Sequence, residues 1–177
     1  AQIDPHLSDT GRAQPAQPAR TLKTFGHELA AHDLVAFNLT ATTETMEIVR
    51  ENAGLERSGY RTDDRLKEIH FGSWQGQYWP EVPDVDPAGH AARTADPFNW
   101  RPEGGESYAD LTSRCAAWFE QIEHDTVCVS HGGVSRVLRG HVGRHTPDEI
   151  TELNVPQDRI LVFRHGPTGI SAEWVGG

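Results

Sequence analysis

Apolar positions along this chain alternate between helical stripes and short compact runs. Leu22, Phe25, Leu29 and Ala30 recur at helical spacing from Thr21 to Ala31, behind a stretch broken by Pro15 and Pro18, and predict a helix there. Leu34 to Phe37 is a compact apolar run that reads as a buried strand. Thr42 to Asn52 then carries Met46, Ile48 and Val49 on a helical stripe ended by Gly54. Tyr108, Leu111, Cys115, Trp118, Phe119 and Ile122 fall on one face of a helix predicted from Ser107 to Glu123, and Thr126 to Val129 is a second strand-like run. Gly132-Gly133 breaks that strand. Val134, Val137, Leu138 and Val142 resume a helical period as far as Gly143, and Ile160 to Phe163 predicts a last strand.

Strands that are apolar throughout have both faces covered, and helices between them supply the cover. The expected fold class is therefore α/β, a three-layer α/β/α sandwich with a mostly parallel sheet. A chain of 177 residues suits one such core, so residues 1–177 are expected to form a single domain. The middle is less regular: Leu66, Ile69, Phe71 and Trp74 follow a polar start at Tyr60, and Pro80 to Pro102 holds five prolines. That section predicts an irregular or partly helical insertion at about 77–102.

Composition narrows the function classes. Hydrophobic residues are 36% and charged residues 24%, which argues against disorder, and no apolar run is long enough to cross a bilayer. The formal net charge of -10 argues against nucleic acid or an anionic membrane surface as partner, because either needs a basic face. An anionic ligand would require a local positive pocket. Cys115 and Cys128 give neither a disulfide framework nor a zinc spacing, and a cytoplasmic setting is the simplest expectation. Ala1 stands where a start would have Met, no signal-peptide pattern follows it, and Asn38-Leu39-Thr40 reads as a chance match to the glycosylation pattern.

Three segments could carry chemistry. In Val127 to Val134 an apolar strand ends in Ser130-His131-Gly132-Gly133 and a helix follows. Ligands of open α/β sheets bind at the carboxyl ends of strands, glycines let backbone approach an anion, and the helix start points free N–H groups at it. His131 and Gly132 are thus candidate phosphate ligands, although a histidine there also serves as a plain turn cap. In Arg65 to Gly76, Glu68 is flanked by Leu66, Ile69 and Phe71. Partial desolvation would suit it to donate a proton, while Arg65 and Lys67 also make it readable as a solvated ion-pair residue. Arg101 to Ser107 is a rigid turn in which Ser107 or Glu106 caps the next helix.

Taken in order, these segments resemble the histidine phosphatase superfamily in its phosphoglycerate mutase-like branch, over nearly the whole chain. Leu7 to Gln14 is similar to the start of the family's first helix and Glu44 to Val49 to its second, and residues 65–76, 102–107 and 129–136 follow in order and spacing. The resemblance implies phosphomonoester hydrolysis through a phosphohistidine, with mutase activity the lesser expectation. It requires no metal and no cofactor. It implies Glu68 as proton donor, His131 as the second histidine that stabilises the phosphoryl oxygens, a phosphorylated small molecule as substrate, and a homodimer as a common state of the family. The alternative is a catalytically silent member that binds a phosphorylated ligand or a protein partner through the same cleft.

Two departures qualify the resemblance. Ala41 stands where the family places a phosphate-binding arginine, a change that removes a bidentate ligand. The family's Arg-His-Gly nucleophile motif, expected at the end of a first strand, is not found ahead of Leu7. One expectation is a first strand lost ahead of Ala1, which would leave two unpaired sheet edges and marginal stability. Another is circular permutation, with Arg164-His165-Gly166 as the relocated nucleophile loop. The favoured reading of that tail is the ordinary C-terminal hairpin, in which Ile160 to Phe163 turns back through Glu173-Trp174-Val175.

Overall fold

A computed structural model of the chain describes residues 6–8, 12, 20–22 and 29–176. Its strands are β1 (Asp33–Ala36), β2 (Arg61–Thr62), β3 (Thr126–Val129), β4 (Ile160–Gly166) and β5 (Gly169–Val175). The helices are α1 (Thr40–Asn52), α2 (Val82–Val85), α3 (Pro87–Ala95), α4 (Tyr108–Phe119), α5 (Gly132–Gly143) and α6 (Pro147–Glu152). β1 is the middle strand of a parallel sheet ordered β2-β1-β3, with Leu34 opposite Val127 and Val35 opposite Cys128.

Because side chains alternate along a strand, the sheet offers two apolar faces. Leu34, Ala36, Val127 and Val129 pack with Met46 and Val49 of α1. Val35, Phe37 and Cys128 pack on the other side with Leu111 and Cys115 of α4 and Val134 and Val137 of α5. Helices on both faces, α1 on one and α4 with α5 on the other among the described residues, make the three-layer α/β arrangement expected from the alternating pattern. The parallel pairing puts the carboxyl ends of β1 and β3 side by side, so the starts of α1 and α5 emerge at the same edge of the sheet.

Local departures from the pattern are small and have causes. α4 stops at Phe119, short of Glu123, and α5 begins at Gly132, because both glycines join its first turn. Of the helix expected from Thr21 to Ala31, Arg20 to Leu22 is helical and Leu29–Ala31 is a 3-10 turn, while residues 23–28 lie outside the described residues. The insertion is more regular than its proline content suggested. Pro83 and Pro87 sit in the first turns of α2 and α3, where a missing N–H costs nothing. Asp86 caps α3 by accepting from Gly89 N at 2.8 Å, and it also accepts from Trp74 Nε1 at 2.9 Å.

The tail forms an antiparallel hairpin of β4 with β5, in which Arg164 lies opposite Ser171 and His165 opposite Ile170. Arg164 Nε donates to Glu173 Oε1 at 3.0 Å. Arg164, His165 and Gly166 are all exposed next to the turn, so they do not form a nucleophile loop at a parallel strand's end, and the permuted reading is corrected here. The hairpin closes on the core through Phe163, whose ring meets that of Phe119 edge-on at 5.1 Å. Among the described residues, β3 has no strand partner on its side away from β1, and β4 has none away from β5.

Candidate active site

β3 delivers His131 to the N-cap position of α5 in extended conformation, so the ring stands where the strand ends and the helix dipole begins. Ser130 Oγ, one residue earlier, donates to Leu66 O at 2.5 Å and pins the Glu68 segment against the end of β3. From the other side, Arg114 of α4 donates to Arg65 O at 2.7 Å and to Glu68 O at 3.3 Å. Its guanidinium is held by Glu106 at 2.8 and 2.9 Å, and Glu106 also accepts from His70 N at 3.0 Å. Leu66 and Ile69 are buried in the core on either side of Glu68. Core anchors and backbone clamps therefore leave the Glu68 side chain little choice of direction.

Its carboxylate lands on the start of α5. Glu68 Oε1 accepts from Ile69 N at 2.9 Å and Oε2 from Gly133 N at 3.1 Å. Position 133 has to be glycine for this approach, since a Cβ there would collide with Glu68 Oε1. His131 sits two residues before that N–H, its ring edge-on to Phe37 at 6.1 Å. Nε2 is buried and has no hydrogen-bond partner among the described residues. Burial pushes the imidazole's pKa below its ordinary value, and the nearby charge of Glu68 opposes that shift.

Of the three residues singled out from sequence, Glu68 and Gly132 line one cleft at the start of α5, and His131 stands at the N-cap of that helix without being among the described lining residues. The cleft there has a volume of about 390 Å³, with Glu68, Gly132, Gly133, Arg136, Tyr108 and Arg93 among its lining residues. Arg136 is aimed by its Nε donating to Leu153 O at 2.7 Å and by Nη1 donating to Tyr108 Oη at 3.1 Å. Sequence reasoning marked the Gly132-Gly133 pair but missed Arg136, Tyr108 and Arg93. Arg136 had a faint signal, lying one helical turn after Gly132, but Arg93 had none within the insertion.

Other expectations resolve plainly. Ser107 is a structural cap: its Oγ accepts from Asp110 N at 3.1 Å while Asp110 Oδ2 accepts from Ser107 N at 2.9 Å. The aromatic residues in and around the insertion divide between cleft and packing: Trp79 lines the cleft, Trp100 lies against Trp74 at 4.4 Å, and Phe98 packs on the core. Ala41 occupies the first turn of α1, at the sheet edge that carries His131, and offers only a methyl group. Cys115 is buried in the core, and burial pushes its thiol up to about 12. Among the described residues no group of three or more His, Cys, Asp or Glu converges as a metal site, and no helix is long and apolar enough to cross a membrane.

Comparison with known proteins places this geometry. The sequence profile of the histidine phosphatase superfamily (branch 1) matches residues 1–176. A glucosyl-3-phosphoglycerate phosphatase of Mycolicibacterium vanbaalenii is 31% identical over 151 residues, covering 77% of this chain and 63% of that protein. Phosphoglycerate mutase-like protein 4 of Arabidopsis thaliana is 30% identical over 142 residues, covering 77% of this chain and 60% of that protein. The chain therefore spans less than two thirds of the length of these relatives. Among solved structures, the alpha-ribazole phosphatase of Shigella flexneri superposes with a TM-score of 0.82 at 16% identity, over 99% of this chain and 86% of that one. A mycobacterial glucosyl-3-phosphoglycerate phosphatase gives 0.76 at 23% identity, over 99% and 88%. These likenesses establish the fold. The profile match runs over residues 1–176, and Arg164-His165-Gly166 pairs within the tail hairpin, so the expectation of a relocated first strand is not borne out. With residues 1–176 of the chain matched by the profile and the mutase-like fold in place, the chain belongs to the histidine phosphatase superfamily.

Proposed function

We propose that the cleft at the start of α5 binds a phosphorylated small molecule and hydrolyses its phosphomonoester. The observation that carries the reading is the contact of Glu68 Oε2 with Gly133 N at 3.1 Å in the first turn of a helix whose N-cap is His131, with a buried Nε2 that has no hydrogen-bond partner among the described residues. A helix start with two glycines and a donor-capable imidazole suits a phosphoryl oxygen, and a carboxyl group beside it suits a departing alkoxide. In the family's chemistry the P–O ester bond breaks as a histidine nitrogen bonds to phosphorus. The bonding pair leaves with the ester oxygen, and Glu68 would supply the proton. Water then attacks the phosphohistidine, with Glu68 taking a proton back. The accepting histidine is not among the described residues that line this cleft, and Arg136 supplies the cleft with positive charge.

The relatives named as glucosyl-3-phosphoglycerate phosphatases support hydrolysis over mutase chemistry. Two free cysteines, one of them buried in the core, fit a reducing compartment such as the cytoplasm. A homodimer is the family's common state and is checked by sedimentation velocity.

A second reading, a silent member that binds a phosphorylated ligand or protein partner without turnover, is favoured by Ala41 at the position of a phosphate-binding arginine. Incubation with p-nitrophenyl phosphate and sugar phosphates, alongside calorimetry with inorganic phosphate, separates the two. Hydrolysis that His131→Ala abolishes supports the phosphatase, binding without hydrolysis supports the silent member, and neither result defeats both.

A further inference from the structure

The same cleft holds a cation that the phosphoryl chemistry leaves unused. Arg57, Arg61, Arg65, Arg101, Arg114 and Arg164 each sit within ion-pair distance of a carboxylate. Arg93, half-buried on α3 and lining the cleft with Glu68, has no such partner among the described residues. Its guanidinium stands over the ring of Trp79, with Cζ 5.2 Å from the ring centroid. Stacking on an aromatic ring engages the flat face of a guanidinium and leaves its N–H edges free for a carboxylate or phosphate.

This placement is built rather than incidental. Trp79 is braced edge-on by Phe71 at 5.0 Å and by Trp74 at 5.8 Å. Asp86 joins the aromatic group to the helix that bears Arg93, accepting from Trp74 Nε1 at 2.9 Å and from Gly89 N, in the first turn of α3, at 2.8 Å. In a chain of net charge -10, acidic partners for an arginine are abundant, yet this one faces a cleft in whose lining Glu68 is the single carboxylate among the described residues.

We infer that Arg93 is a specificity-determining residue that binds a second anionic group of the substrate, a carboxylate or a second phosphate, apart from the phosphoryl group at α5. The inference rests on the phosphoryl-site reading above, and the test separates the two by using phosphonates, which have no ester bond to cleave. Calorimetry compares methylphosphonate with 2-carboxyethylphosphonate and with propane-1,3-bisphosphonate on the full chain. At least one of the two longer ligands is expected to bind about tenfold tighter than methylphosphonate, as one charge-assisted pair allows. Which of them gains identifies the second anion. Arg93→Ala should erase the gain, so that the longer ligands bind no tighter than methylphosphonate does to the same variant, Arg93→Lys should keep part of it, and Trp79→Leu should reduce it. Equal affinities in the wild type, or a gain that survives Arg93→Ala in a protein whose circular dichroism is unaltered, overturns the inference. Failure of methylphosphonate itself to bind the wild type sinks the phosphoryl-site reading, and this inference falls with it.

Discussion

At the scale of single residues, the site depends on one carboxylate reaching a helix start that glycine keeps open. If Glu68 protonates the leaving oxygen, its value depends on the leaving group. Glu68→Gln is expected to slow hydrolysis of alkyl and sugar phosphates by about a hundredfold or more, and that of p-nitrophenyl phosphate much less, since a nitrophenolate departs without a proton. Equal losses on both substrates would remove Glu68 from that role. Gly133→Ala should mimic the loss, with the same dependence on the leaving group, by pushing the carboxylate away. His131 adds a pH dependence. Its folded pKa lies below the ordinary value of 6.5, so below that pH the unfolded chain binds the proton first. The stability held by the neutral ring is present above about 6.5 and is lost as pH falls through the folded value. Thermal melts from pH 8 to 5 should show the decline, and His131→Gln should flatten it. An equal decline in the variant would assign the effect to other groups.

At the scale of elements, α4 links stability to the site. Its capping box starts the helix at Tyr108, and Arg114, two turns on, clamps the backbone of Arg65 and Glu68. Ser107→Ala removes a buried cap and is expected to cost about 1 kcal/mol, within the range for caps of this kind, as read from urea unfolding. No change in the urea midpoint would mean that Asp110 alone starts the helix. Some elements left a trace in the sequence that went unread. α6 begins at Thr146-Pro147 with Glu149 three residues after the cap, and the reciprocal capping bonds are present. β2, with two exposed residues, is too short for any periodicity to announce it.

At the scale of the whole molecule, two sheets share one core yet each keeps a side without a strand partner among the described residues. Open edges are templates for pairing, and a net charge of -10 opposes the approach of a second copy. The 177-residue protein is therefore expected to melt at modest temperature and to self-associate more as salt screens that repulsion. Sedimentation velocity at low and high ionic strength, paired with thermal melts, checks this. A salt-independent monomer with a cooperative transition at high temperature would contradict it.

The sequence by itself determined the layers, since periods of two and of 3.6 state which faces are apolar, and it marked Ser130-His131-Gly132-Gly133 as a strand end feeding a helix. It also carried the family, through motifs in order. Only the tertiary structure decided which distant groups meet: Glu68 with Gly133 across 65 residues, Arg114 with the carbonyls of Arg65 and Glu68, and Arg93 with Trp79. It also decided that Arg164-His165-Gly166 ends a hairpin strand and is no nucleophile loop. The reason is one of range. Propensity and periodicity act within a turn or a pleat, whereas a hydrogen-bond partner is chosen by how the packed layers bring chain segments together in space.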